Sequence, residues 1–125
     1  MLLGTGIDLV EVERIAQSIA RFGERFLRRV YTEGEIAYCQ ARIAGAESFA
    51  ARFAAKEAAA KALGSGIQLG VGWREIEVTK SQDGPPAVEL SGRARERAAE
   101  LGVRRIALSL THTRTLAAAM VVMED

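Results

Sequence analysis

A chain of 125 residues, 49% of them hydrophobic, has the length of one domain with one core. Its 17 Lys and Arg against 16 Asp and Glu leave a formal charge of +1, so no bulk field argues for nucleic acid and any basic binding surface must be local. The single cysteine, Cys39, excludes an internal disulfide; with no apolar stretch of membrane-span length and no basic signal-peptide start, the sequence reads as soluble and cytoplasmic.

Met1–Asp8 is short, apolar and punctuated by glycine, and predicts a strand ending at Asp8. Val12, Ile15, Ala16 and Ile19 recur at helical spacing, which predicts a helix over Glu11–Ala20. Gly23 interrupts it, and Glu24–Val30 forms another turn or two. Thr32 and Glu35 make a T-x-x-E capping box that opens a helix to about Ile43, with Gly45 as its end. Glu47–Gly64 reads as one long helix, with Ser48 as N-cap, alanines filling the interior and Gly64 as the stop. Gly64–Gly72 is a glycine-rich loop. Its G-x-G-x-x-x-G spacing follows a helix and precedes a strand, the reverse of a dinucleotide fingerprint, so a Rossmann reading fails. The loop is a helix stop and connection whose free N–H groups could still bind an anion.

Trp73–Lys80 alternates as a strand, Asp83-Gly84 signals a hairpin turn, and Ala87–Leu90 returns. Ser91 caps a helix ending near Gly102; Arg105–Thr111 and Leu116–Met123 are apolar strands joined by a turn at Thr113-Arg114. The expected class is α+β, a mostly antiparallel sheet packed with a long central helix. No linker divides residues 1–125, which predicts a single domain.

The charges of the long helix carry the chemistry. At about 100° per residue, Glu57 and Lys61 fall on the side of Ala50, Phe53 and Ala54, the side expected to face the core. An acid and an amine there are costly unless something pairs with them. Arg52 and Lys56 fall on the neighbouring face, giving one acid and three bases along one flank, which suits a metal ion and phosphates. An exposed Glu–Lys pair on a surface helix would produce the same spacing. Asp8 is either an N-cap or a strand-end ligand for a hard cation; with Glu57 it would supply the two carboxylates that magnesium commonly takes beside water and phosphate. His112, the only histidine, ends a strand, and one histidine with one cysteine makes no zinc site. Cys39, in a helical setting, reads as a structural thiol.

These segments have an order. Gly6-Ile-Asp8, Glu11-x-x-Arg-Ile15, the stretch Arg25–Glu35, the block Arg52–Gly64 with its F-x-x-K-E-A-x-x-K-A core, and Leu108–Thr113 resemble the holo-[acyl-carrier-protein] synthases, the small 4′-phosphopantetheinyl transferases. The resemblance runs from Gly4 to Val122. It implies transfer of 4′-phosphopantetheine from coenzyme A to a serine of an apo acyl carrier protein, releasing adenosine 3′,5′-bisphosphate. It further implies Asp8 and Glu57 as Mg²⁺ ligands and Lys61 as a phosphate contact. Arg52 and Lys56 would line the same site, Gly64 and Gly66 would lie against the cofactor, and His112 and Thr113 would touch its nucleotide end. The general base stays open between a metal-bound water and an acid such as Asp8. One departure is Pro85-Pro86, where many relatives carry a lysine.

Similar synthases are trimers with the site between chains, so a homotrimer is expected, with the last two strands as contact surface. Residues 11–30 hold five arginines against three glutamates. Arg14 and Arg21, seven apart, share a helix face and with Arg25 form a candidate docking surface for the acidic carrier protein. The alternative from another class is a non-enzymatic coenzyme A or nucleotide-phosphate binding module. Such a module could keep Lys61 and the loop without needing both Asp8 and Glu57.

Overall fold

The computed structural model describes residues 1–67 and 70–125. Strand β1 (Leu2–Glu11) leads into helices α1 (Val12–Phe22), α2 (Glu24–Val30), α3 (Glu33–Gln40) and the long α4 (Gly45–Ala62). A 3-10 turn, Trp73–Glu75, precedes the hairpin β2 (Ile76–Lys80) and β3 (Pro86–Leu90); α5 (Gly92–Leu101), β4 (Arg105–His112) and β5 (Leu116–Glu124) complete the chain. The class is the expected α+β, with every strand pair antiparallel. The strands divide into a three-stranded sheet of order β1-β5-β4 and the separate β2-β3 hairpin.

Helix α4 is the centre. Of its residues from Ser48 to Ala62, only Glu57 and Lys61 escape burial. The inner face of the sheet (Val10, Ala117, Ala119, Val121 and Met123) covers one side, and α1, α3 and β2 cover the others. A helix buried all round has no single apolar stripe, so spacing cannot say which side is inside. The expected sidedness is therefore reversed. Arg52 and Lys56 are core residues, whereas Glu57 and Lys61 mark the one seam open to solvent.

Sheet and helix meet at two glycines. Gly4 and Gly6 point inward from β1, and a side-chain carbon at either would overlap a backbone carbonyl of α4, that of Ala62 or Ala58 respectively. With no Cβ on the strand and alanines on the helix, the two backbones approach closely. Asp8, next on the same face, is carried to the helix flank.

Several boundaries differ from the sequence reading. Asp8 does not end a strand or cap a helix; β1 stays paired with β5 as far as Glu11 opposite Leu116. Ser48 is not an N-cap. The helix starts at Gly45 after Ala44, with no side-chain cap, and Ser48 is buried within it. Gly45 opens α4 rather than ending α3, because the N–H groups of Ala41 and Arg42 close α3 on Ala37 and Cys39. Trp73–Glu75 is a 3-10 turn, so β2 is shorter than the alternation suggested. The Thr32–Glu35 capping box forms in both directions, at 3.2 and 2.9 Å. Gly64 and Gly102 end their helices at positive φ, 76° and 82°. Among the described residues no helix is long and apolar enough to cross a membrane.

The β1–α4 contact yields a stability prediction. Gly6→Ala should lower the unfolding free energy by about 2 kcal/mol or more, because overpacking against a backbone carbonyl cannot relax by rotamer change. Thr5→Ala, on the outward face one residue away, should stay within about 0.5 kcal/mol. Urea denaturation of the two variants makes the comparison.

Candidate functional site

Asp8, Glu57 and Lys61 converge where β1 crosses α4. The Lys61 ammonium donates to Asp8 Oδ1 at 3.1 Å and to the Ile7 carbonyl at 3.0 Å. Burial first, and the neighbouring Asp8 carboxylate second, push the Glu57 carboxyl above its ordinary range, against the opposing charges of Lys61 and Arg14. Two carboxylates close enough to repel, with Lys61 engaging one oxygen of Asp8, leave carboxylate oxygens free for a further ligand. That donor set fits Mg²⁺, which takes one or two protein carboxylates and completes its shell with water and phosphate.

Glu57 also lines an open cleft of about 980 Å³ with Phe26, Arg29, Phe53, Gly66 and Trp73. Phe53 and Trp73 stack with ring centroids 4.8 Å apart, forming an apolar wall. Gly66, at φ 67°, lines the same cleft, two residues after Gly64 begins the turn that follows α4. The loop position at Gln68 and Leu69 falls outside the described residues.

Lys56 is not in this cleft. It is fully buried, paired with Glu35 Oε1 at 2.7 Å and donating to the carbonyls of Trp73 and Ile76 at 3.1 and 2.5 Å. The expectation that it lines the site beside Lys61 is corrected on this geometry: one residue along a helix turns the side chain by about 100°, away from Glu57. Burial lowers the Lys56 ammonium from its ordinary value, and the Glu35 carboxylate opposes that shift.

Arg52 faces another way again. Its guanidinium lies 4.1 Å from the centre of the Tyr38 ring, which also takes Arg42 at 5.4 Å, and its buried Nε meets no partner among the described residues. Arg42 and Ser48 share a surface pocket with His112, whose Nδ1 is 2.8 Å from Glu47 Oε1. Glu47 stands ten residues before Glu57, about 15 Å along the helix. Arg42 thus connects both neighbourhoods, sharing the Tyr38 ring with Arg52 and a pocket with His112, and neither includes Asp8, Glu57 or Lys61. Thr113 sits at the β4–β5 turn, its Oγ1 accepting from the N–H groups of Leu116 and Thr115 at 3.1 and 3.3 Å.

Arg14 and Arg21 are both exposed on α1 and flank one shallow groove, and Arg25 flanks the next with Phe22 and Arg29. Arg29 belongs to the main cleft too, and Arg14 is near enough to Glu57 to act on its carboxyl, so this basic face runs into the site. Sequence reasoning missed three participants: Glu35, Trp73 and Arg29. Glu35 was visible only as a capping acid; a second partner for it could not be found by spacing, since Lys56 is 21 positions away.

The raised Glu57 carboxyl has a signed consequence. A carboxyl whose folded pKa exceeds its unfolded value stabilises fully below the unfolded value and loses that contribution as pH rises through the folded one. At neutral pH the charged Glu57 therefore costs stability in the metal-free protein. Glu57→Gln should raise the Tm of metal-free protein at about pH 7, and the difference should close near pH 4. Paired thermal melts at the two pH values check it.

Comparison with known proteins adds to this geometry. The family model of the 4′-phosphopantetheinyl transferase superfamily matches residues 4–120. The holo-[acyl-carrier-protein] synthase of Koribacter versatilis (strain Ellin345) is 55% identical over 125 residues, covering all of both chains. The crystal structure of the Neisseria meningitidis holo-[acyl-carrier-protein] synthase superimposes with a TM-score of 0.89 at 34% identity over the full length of both. That of the Helicobacter pylori synthase, in complex with coenzyme A, does so with 0.84 at 32%, covering 96% of this chain and 99% of the other. With its two inward glycines setting Asp8 beside the K-E-A-x-x-K helix, the chain belongs to the holo-[acyl-carrier-protein] synthases of the 4′-phosphopantetheinyl transferase superfamily.

Proposed function

We propose that Asp8, Glu57 and Lys61 carry out the transfer that defines this family: 4′-phosphopantetheine moves from coenzyme A to a serine of an apo acyl carrier protein. The serine oxygen bonds to the phosphorus that carries the pantetheine, the pyrophosphate bridge breaks, and adenosine 3′,5′-bisphosphate leaves. The observation that carries the reading is the pair of carboxylates beside an exposed lysine. Asp8 and Glu57 would hold Mg²⁺, which when bound neutralises charge on the pyrophosphate oxygens. The Lys61 side chain is 54% exposed, so its ammonium can leave Asp8 and donate to a phosphate oxygen as charge develops there. Phe53 and Trp73 form a wall against which an uncharged segment of the substrate can rest. A binding module without chemistry would have no use for two adjacent acids, and their pairing favours the enzyme.

We take residues 1–125 as a single transferase domain working in the cytoplasm, and we propose a homotrimer with sites at subunit interfaces. Two features support this. The outer face of the β1-β5-β4 sheet exposes Ile7, Leu9, Leu116 and Met120, a patch a lone chain leaves in water. Also, His112, expected to touch the nucleotide end of coenzyme A, pairs with Glu47, about 15 Å along α4 from Glu57 within one chain. A site divided between copies would bring a second chain's His112 to the coenzyme A held at Asp8 and Glu57. The exposed Arg14, Arg21 and Arg25 face is proposed to dock the acidic carrier protein beside the cleft.

The central test is mass spectrometry of apo carrier protein incubated with coenzyme A, Mg²⁺ and this protein. A phosphopantetheine adduct is expected, and Asp8→Ala or Glu57→Ala should slow its formation by about 100-fold or more. Full activity of either variant at limiting magnesium would end the metal assignment.

Assembly and docking are checked separately. Ile7→Glu should dissociate the assembly in light scattering and abolish transfer with it; an active monomer would refute the shared site. Arg14→Glu with Arg21→Glu should raise KM for carrier protein roughly tenfold, more at low salt than at high, and leave KM for coenzyme A unchanged. A double variant that modifies carrier protein normally would place the docking face elsewhere.

A further inference from the structure

The charged pair in the core is built like a site component, although it touches no solvent. Lys56 has three ammonium donors and three acceptors: Glu35 Oε1, the Trp73 carbonyl and the Ile76 carbonyl. Glu35 is 1% exposed, and its oxygens also accept from the N–H groups of Thr32 at 2.9 Å and Val78 at 2.8 Å. The network links α4 to α3 and its cap, to the 3-10 turn and, at both Ile76 and Val78, to β2.

Two of these attachments matter for the cleft. Lys56 is the residue immediately before Glu57 on α4. Trp73, whose carbonyl it holds, lines the cleft and stacks on Phe53, one helical turn before Glu57. Gly72, also on the cleft lining, is fixed next to it by its N–H bond to Glu75 Oε1 at 3.2 Å. One ammonium thus ties the wall of the cleft to the helix that carries the metal acid. Stability alone does not account for the arrangement, since a buried ion pair is often matched or exceeded by apolar residues of the same volume.

We infer that Lys56, held by Glu35, is a positioning residue: it fixes the Trp73 wall against α4 and so sets how tightly coenzyme A seats, without touching it. This rests on the transferase reading. The distance between Glu57 and the wall is then decided by the Lys56 Nζ–carbonyl contacts rather than by the loop that follows α4.

The test uses Trp73, the only tryptophan in the chain, as its own reporter. Lys56→Met alone strands a buried carboxylate and should lower Tm steeply. Glu35→Gln with Lys56→Met removes both charges and should recover most of the lost Tm. In that double variant KM for coenzyme A should stay raised about tenfold while KM for carrier protein is unchanged. Trp73 emission should shift to longer wavelength and become more open to iodide quenching. A merely structural role predicts otherwise: a smaller active fraction lowers apparent kcat and leaves both KM values alone. Wild-type KM for coenzyme A together with wild-type Trp73 emission overturns the proposal. If the double variant melts too low, Lys56→Gln is measured identically at a temperature where circular dichroism shows it folded, and the same two outcomes decide. Wild-type protein that modifies no carrier protein would instead sink the transferase reading, and Trp73 emission would still test the tether.

Discussion

Everything in this molecule depends on how closely β1 lies against α4. A strand packed on a helix normally stands off by the depth of its side chains. Here Gly4 and Gly6 meet the carbonyls of Ala62 and Ala58, so there is no such layer. The spacing of two residues along the strand, about 6.8 Å, roughly matches one turn of helix, about 5.4 Å, so both glycines find an alanine position. The consequence is chemical as much as structural. Asp8 has a short side chain, and only a strand pressed onto the helix brings its carboxylate to Glu57 and Lys61.

Such an arrangement has a thin core near the site. Alanines bury little area each, while a fully buried large apolar side chain contributes about 1.5–3 kcal/mol. Larger groups such as Ile15, Ile76 and Tyr31 are arranged around the alanine helix, which itself contributes Phe49 and Phe53. The polar interior compensates by specificity: Tyr31 donates to the Phe49 carbonyl at 2.8 Å, and Lys56 with Glu35 satisfies four backbone groups at once. A half-satisfied network would be costly at that depth, which makes this one a strong determinant of a single packing.

The site displays the usual conflict between stability and function. Glu57 and Asp8 repel, Arg52 keeps a buried nitrogen without a partner among the described residues, and Ile7, Leu9 and Met120 are exposed. In a lone chain each of these is a cost. Each would be relieved by a proposed partner: a cation between the acids, an anion at the arginine, a second copy on the sheet. The places where the chain violates packing rules are those where the proposed ligands and neighbours would sit.

Much was legible in the sequence, for local reasons. The capping box at Thr32 and Glu35, the stop at Gly64, helix α2 over Glu24–Val30 and the Asp83-Gly84 turn each depend on a few neighbouring residues, and each formed as read. The pairing of Asp8 with the K-E-A-x-x-K helix also came from the motif. What only the tertiary structure decided is which way α4 faces. Lys56 and Glu57 are adjacent in sequence and chemically ordinary, yet one became the most buried cation and the other a cleft acid. Helical periodicity assigns sides by the contrast between apolar and polar residues. An alanine helix enclosed on every side has almost none, so partners distant in sequence, Glu35 for Lys56 and Asp8 for Glu57 and Lys61, set its orientation instead.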